Sequence, residues 1–81
     1  MRGDQNNMEF WTVTEIQKLE GGAIISQTFD RTTYNEALSV YYSSLAAGAI
    51  NGIPYHATYL ISSKRGVKMF NIYDRQEEAT A

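Results

Sequence analysis

One stretch near the middle of the chain has the hydrophobic spacing of an α-helix and limits what the flanking segments can form. Between Thr33 and Ala49, apolar and small residues recur at intervals of three and four. They are Tyr34, Ala37, Leu38, Tyr41, Leu45 and Gly48. Thr33 followed by Glu36 predicts a capping box, in which the hydroxyl accepts from one free amide and the carboxylate from the other. Asn51-Gly52 predicts the helix end, because both residues tolerate a left-handed backbone.

The segments on both sides of this helix are typical of β-hairpins. Glu20-Gly21-Gly22 and Lys64-Arg65-Gly66 each separate two runs rich in β-branched and aromatic residues. The predicted strands are Met8–Leu19, Ala23–Phe29, a third opened by Pro54 and running to Ser62, and Val67–Asp74. This order, ββαββ, predicts an α+β fold with a four-stranded, mainly antiparallel sheet and the helix on one face. In the first strand, the imperfect alternation predicts either a bulge near Thr14-Glu15 or apolar groups on both faces.

Length and composition limit the size of the core and the classes of function. With 81 residues we expect a single domain over 8–74, preceded by a disordered leader (1–7) and followed by a flexible polar tail (75–81). A core of this size gives only a small free energy of unfolding, and the chain has no cysteine that could add a disulfide. We therefore expect a homo-oligomer, most simply a dimer. No apolar run approaches the roughly 20 residues of a membrane span, and we expect a soluble, cytoplasmic protein.

The residues that usually carry catalysis or hold metals are sparse. His56 is the only histidine, so one chain cannot form a metal site with several histidines. Gly21-Gly22 connects two predicted strands and is not a phosphate-binding loop, and Ser62 and Ser63 lie in a predicted strand without a nucleophile elbow. We therefore expect no enzymatic activity, no cofactor and no metal.

Aromatic residues are the most informative part of the composition. The predicted strand alternation places them on both faces of the sheet, whereas one helix can cover only one face. Tyrosine and tryptophan are favoured at protein interfaces, because each combines a large apolar body with a polar group. We therefore expect a protein-binding module, and the predicted partner-binding residues are Phe10, Trp11, Tyr55, Tyr59, Phe70 and Tyr73.

Two other classes of function remain open. Lys64, Arg65 and Lys68 near aromatic strand positions could hold a nucleic acid strand by charge and stacking, although the formal net charge of −2 argues against a binder of phosphates. A small-ligand-binding dimer, or a minimal enzyme, could instead form a pocket near His56 between two subunits.

Several short segments resemble parts of small, largely uncharacterised accessory proteins that phages and mobile elements of gut bacteria carry. The segments are Trp11-Thr12-Val13-Thr14-Glu15, Glu36-Ala37 leading to Tyr41-Tyr42, Ala46-Ala47 and His56-Ala57. They are spread over most of the ordered chain, which is Phe10 to Asp74. None is a motif with known chemistry, so no active residue carries over. The resemblance implies a mobile-element accessory protein. Such proteins include anti-CRISPR-like inhibitors that occupy a host defence protein.

Overall fold

The computed structural model describes residues 8–76 and shows a four-stranded sheet with one helix across one face. The elements are β1 (Trp11–Lys18), β2 (Ile24–Arg31), α1 (Tyr34–Asn51), β3 (Tyr55–Ser62) and β4 (Gly66–Asp74). Every neighbouring pair of strands is antiparallel. The predicted α+β fold of type ββαββ is confirmed. The predicted leader, residues 1–7, and residues 77–81 of the predicted tail lie outside the described residues.

The strand order is β2-β1-β3-β4, which the sequence could not supply. Each hairpin contributes one central strand and one edge strand. Because β1 is antiparallel to both β2 and β3, those two strands run parallel, and parallel strands need a long crossover connection. The helix is that connection, so it crosses the middle of the sheet and packs on β1 and β3 more than on the edges.

The register of β1 shows which of the two predicted arrangements the chain adopts. β1 pairs without interruption along its whole length with β2 and with β3, so the predicted bulge near Thr14-Glu15 is absent. Instead, apolar residues lie on both faces. Trp11 and Val13 point under the helix and are buried, whereas Ile16 lies on the opposite face.

The irregularity lies between β3 and β4. Leu60 pairs with Met69 and Ile61 pairs with Val67, so Lys68 is an extra residue in a β-bulge. The bulge reverses the alternation of β4. Strict alternation along β4 would place Val67 on the same face as Met69, but Val67 lies opposite Ile61 on the other face.

The helix ends form nearly as predicted. Thr33 is the N-cap, and its hydroxyl accepts a hydrogen bond from the Glu36 amide at 3.2 Å. The reciprocal half of the predicted capping box differs, since the Glu36 carboxylate accepts from the Thr32 hydroxyl at 3.5 Å. Gly52 closes the helix with φ 69°, a left-handed conformation that glycine adopts without strain.

A small apolar core fills the space between the helix and the central strands. Its buried members are Trp11, Val13, Ala37, Tyr41 and Leu60. The predicted helical stripe is shifted slightly, because Ser44 is buried while Leu45 is only half-buried. Gly48 is also buried, and its lack of a side chain allows the helix to approach β3 closely.

Arg75, the first residue of the predicted tail, is hydrogen-bonded to the folded domain. The Arg75 amide donates to the Pro54 carbonyl at 2.7 Å, and its guanidinium donates to the helix-end carbonyls of Gly48 at 2.8 Å and Ala49 at 3.3 Å. The last turn of α1 has no basic residue of its own, so Arg75 supplies the positive charge there. Within residues 8–76, no helix is long and apolar enough to cross a membrane.

Candidate functional site

One whole face of the sheet has no layer of the described chain over it. We call this side the open face, and the register assigns it every second residue of each strand. Its members are Thr12, Thr14, Ile16, Lys18, Ile24, Ser26, Thr28, Asp30, Tyr55, Ala57, Tyr59, Ile61, Val67, Phe70, Ile72 and Asp74. The helix packs on the opposite face, where Trp11, Val13, Thr58 and Leu60 are buried.

The β3–β4 half of the open face is largely apolar, and its edge strand β4 is strongly exposed. Phe70 has 59 % of its surface accessible, and Val67 and Ile72 are also exposed. The Tyr59 and Phe70 rings stack with their centroids 5.8 Å apart, which fixes both rings in one orientation. An exposed aromatic ring that a neighbouring ring holds in one orientation, with aliphatic residues around it, is typical of a binding surface rather than of a solvated one.

A shallow hollow lies at one end of the open face. It measures about 220 Å³ and is lined by Ile16, Ile24 and Tyr55, with Lys18 and Gln76 at its edge. The Lys18 ammonium donates to the Gln76 side-chain carbonyl at 2.9 Å, which closes one side of the hollow. Its lining is mostly apolar, so it can take one apolar side chain.

Charge is confined to the corners of the open face. Lys18 and Asp74 lie at one end of the strands and Asp30 lies at the other. The two central rows, from Ser26 to Ile72 and from Thr28 to Phe70, carry no charged residue. One lysine and two aspartates give this face no affinity for phosphates, while its uncharged centre can lose water at low cost.

The six predicted partner-binding residues divide between the two faces. Tyr55, Tyr59 and Phe70 belong to the open face, and the alternation of β1 places the exposed Phe10 there too. The Phe10 carbonyl accepts from the Ser63 amide, so the pairing of β1 with β3 continues through it.

The remaining two predicted residues lie on the helix side. Trp11 is only 7 % exposed and packs against Tyr34, with 4.8 Å between ring centroids, so no partner can reach its ring in the folded chain. Tyr73 pairs with His56 in the register and lies half-buried beneath the Arg75 guanidinium, 5.3 Å from the ring. The prediction that both belong to one binding surface with Phe70 does not match this geometry.

Of the three basic residues of the nucleic-acid alternative, Lys68 does not share a surface with Tyr59 and Phe70. Lys68, the bulge residue, extends toward the Tyr34 ring on the helix side at 6.0 Å. The Arg65 guanidinium lies 3.4 Å from the Glu9 carboxylate, and Lys64 occupies the same hairpin turn. No continuous basic platform joins these groups to Phe70.

A buried polar cluster under the helix is the feature that the sequence analysis missed. Glu15 Oε2 accepts from the Ser44 hydroxyl at 2.5 Å and lies 2.9 Å from His56 Nε2, while Oε1 accepts from the Gln17 amide at 2.9 Å. Ser44 Oγ also lies 2.8 Å from Thr58 Oγ1. These contacts join β1, β3 and α1 at the centre of the fold.

The protonation of this cluster follows from its geometry. Burial alone would raise the pKa of Glu15, but the hydrogen bonds from Ser44 and His56, the charge of His56 and the bond from Gln17 outweigh it and lower that pKa. Glu15 is therefore ionised near neutral pH and can only accept. His56 Nε2 must then carry the proton that it donates, and Thr58 must donate to Ser44, whose own proton goes to Glu15.

The order of groups in this cluster does not suit nucleophilic catalysis. In a serine hydrolase the histidine lies between the serine and the acid, so that it can take the serine proton. Here the carboxylate of Glu15 lies between Ser44 and His56, and His56 is only 1 % exposed. The arrangement ties three elements together, and the hollow of the open face lies on the other side of the sheet.

One signal in the sequence points to the cluster. Glu15 continues the alternation of Trp11 and Val13, so it occupies an inward position, where a carboxylate needs buried donors. The only histidine, His56, is a candidate for one of those donors. The long-range pairing of β1 with β3 was needed to identify them, because Glu15 and His56 are 41 residues apart.

Among residues 8–76 there is no group of three or more histidine, aspartate or glutamate side chains that could hold a metal ion. Comparisons with protein-family models, with curated proteins and with solved structures found no match.

Proposed function

We propose that this chain is a non-enzymatic protein-binding module that uses the open face of its sheet to occupy the surface of a partner protein. The observation that carries the proposal is the exposed Phe70 ring, which stacks on the half-buried Tyr59 ring on a sheet face that no described element covers. The apolar core lies on the helix side of the sheet, so the aromatic residues of the open face are available to contact a partner.

The chemistry of the open face indicates what kind of partner fits. Its apolar half presents Phe70, Val67 and Ile72, and the hollow beside Ile24 offers space for one apolar side chain. Its charges lie at the rim, and interfaces commonly combine an apolar centre with a polar rim. The partner is therefore a protein surface with a largely uncharged patch and a projecting apolar residue.

The resemblance to accessory proteins of phages and mobile elements extends the proposal. A small domain that covers one patch of a larger protein can block its active surface without any chemistry of its own. We propose a host defence protein as the partner, in the manner of an anti-CRISPR-like inhibitor.

Recovery of partners from cells that naturally carry this chain tests the role of the open face. The tagged chain is compared with Phe70→Ser on the open face and with Tyr42→Ser on the helix, where Tyr42 is 53 % exposed. Both changes remove one exposed aromatic ring, so they differ mainly in position. We expect the wild type and Tyr42→Ser to recover the same partner protein. Phe70→Ser should recover at least roughly tenfold less of that partner, as expected for an interface hot spot.

Equal recovery by all three proteins contradicts the proposal. Nuclease treatment of the extract distinguishes direct protein binding from the nucleic-acid alternative, because a partner that is held through nucleic acid is lost after the treatment. Binding to labelled DNA or RNA that weakens steeply with salt would favour the alternative that uses Lys64, Arg65 and Lys68.

A further inference from the structure

The two edge strands of the sheet differ in how they are protected against pairing. On β4, the bulge at Lys68 interrupts the edge and adds a charge, and proteins use both devices to prevent strand addition. On β2, eight residues pair with β1 without a bulge, and Ile24 to Phe29 include no charged residue and no proline. Within the described chain, β2 is therefore a regular and unprotected edge.

The main-chain groups of β2 that face outward can be assigned from the hairpin turn. The Leu19 amide donates to the Ala23 carbonyl at 2.8 Å, so these two residues form a hydrogen-bonded pair. Such pairs recur at every second position of an antiparallel ladder. The odd-numbered residues of β2 thus bond to β1, and the N–H and C=O groups of Ile24, Ser26, Thr28 and Asp30 point away from the sheet.

We propose that β2 pairs antiparallel with β2 of a second copy of this chain, about a two-fold axis at Gln27. In this register the strand is complementary to a second copy of itself. Ile25 lies opposite Phe29 of the other copy on the helix side, and Ser26 lies opposite Thr28. Both contacts occur twice, and like charges do not face each other, since Asp30 lies opposite Ile24.

The neighbouring registers fit less well. An axis at Ser26 places Ile25 opposite Gln27, and an axis at Thr28 places Ile25 opposite Arg31. Of these three axes, only the one at Gln27 pairs the exposed Ile25 with another apolar residue, so it buries the most apolar surface of the three on the helix side.

The resulting dimer has one continuous sheet of eight strands. Because the axis is perpendicular to the sheet, both helices lie on the same side and the two open faces join into one surface. This assembly uses the edge of β2 and not the open face, so it does not depend on the proposed function.

Single cysteines test the pairing directly, because the chain has no cysteine of its own. Gln27→Cys places two thiols in a non-hydrogen-bonded pair on the axis, where Cα atoms lie about 4.5 Å apart, within disulfide range. Ser39→Cys on the exposed helix surface measures random collision. At micromolar protein we expect the disulfide dimer of Gln27→Cys to form on the order of a hundredfold faster than that of Ser39→Cys.

Light scattering and two further sets of variants complete the test. We expect the wild type to have the mass of a dimer, and Ser26→Pro to have that of a folded monomer by circular dichroism. That proline removes an outward N–H and keeps the bonds to β1. If Ser26→Pro fails to fold, the cysteine rates still decide the question. A monomeric wild type with equal rates at Gln27 and Ser39 overturns the proposal, and faster crosslinking of Ser26→Cys or Thr28→Cys overturns the register. If Phe70→Ser dissociates the dimer and no crosslink forms at β2, the chain self-associates through the open face. That result overturns the proposal as well.

Discussion

Gly48 of the helix and His56 of β3 are in direct contact, and only the absence of a side chain on Gly48 permits it. A Cβ placed on Gly48 would lie below 3.0 Å from three atoms of the His56 ring. His56 Nδ1 has no hydrogen-bond partner in the described chain, while Nε2 bonds to Glu15. The histidine is therefore held between a helix backbone and a buried carboxylate, which defines how α1 sits on the sheet.

Gly48→Ala should destabilise the fold, although alanine is the better helix former. In an unobstructed helix the change would stabilise by about 1 kcal/mol, but here the added methyl group must displace the His56 ring, and overpacking typically costs about 1–3 kcal/mol. We expect a net loss of about 1–2 kcal/mol in the free energy of unfolding, measured with urea. In a His56→Ala background the same change should stabilise. A stabilising Gly48→Ala in the wild type would contradict this packing.

The ionised Glu15 predicts how stability depends on acid. Its pKa in the folded chain lies below the ordinary value of 4.5, so the folded state favours the carboxylate more than the unfolded state does. The stability that this shift contributes is fully present above pH 4.5, and it is lost as the pH falls through the lowered folded pKa. Carbon NMR should show the Glu15 carboxyl titrating at lower pH in the native chain than in the urea-unfolded chain. Equal titration midpoints, or a higher midpoint in the native chain, would contradict the stabilisation of the Glu15 carboxylate by its hydrogen bonds in the cluster.

Arg75 should stabilise the end of α1 from outside the helix. Its guanidinium donates to the carbonyls of Gly48 and Ala49, for which no further turn of helix supplies donors, and to the carbonyl of Ile53 just beyond the helix. We expect Arg75→Ala to reduce the free energy of unfolding by about 1 kcal/mol and to speed hydrogen exchange in the last turn of α1. Arg65→Ala at the β3–β4 turn is the matched control. Equal exchange in both variants would show that Arg75 has no such role.

Removing an aromatic ring should destabilise the fold far more on the helix side of the sheet than on the open face. Trp11→Ala empties part of the core and should cost about 3–5 kcal/mol, enough to unfold a domain of this size. Phe70→Ala loses little more than its stacking with Tyr59 and should cost about 1 kcal/mol. Circular dichroism during urea unfolding measures both changes. Similar losses would mean that Phe70 contributes to folding as Trp11 does.

Local patterns were sufficient for most of the fold. The spacing from Tyr34 to Gly48, the cap at Thr33 and the two glycine-containing turns located the helix and both hairpins to within a few residues. These features depend on neighbours in the sequence, which is why a single chain reveals them. The face to which Val67 belongs was not predictable in the same way, because a bulge at Lys68 depends on how β4 packs on β3.

The candidate site divides along the same line. Exposed aromatic residues could be inferred from strand alternation, and Tyr55, Tyr59 and Phe70 lie together on the open face. Trp11 could not be separated from them by composition, since a ring that forms the core and a ring that binds a partner look alike in sequence. The meeting of Glu15, Ser44 and His56 needs the strand order β2-β1-β3-β4, which no local pattern specifies.

The proposal that the open face binds a partner is tested most directly by photo-crosslinking in cells that naturally carry this chain. A photoreactive phenylalanine analogue replaces Phe70 on the open face in one protein, and Tyr42 on the helix in a second. We predict a discrete crosslinked protein from position 70 and none from position 42, with the product from position 70 reduced when Tyr59 is changed to serine. Crosslinking from position 42 alone, or the same product from both positions, would contradict the assignment of the open face as the binding surface.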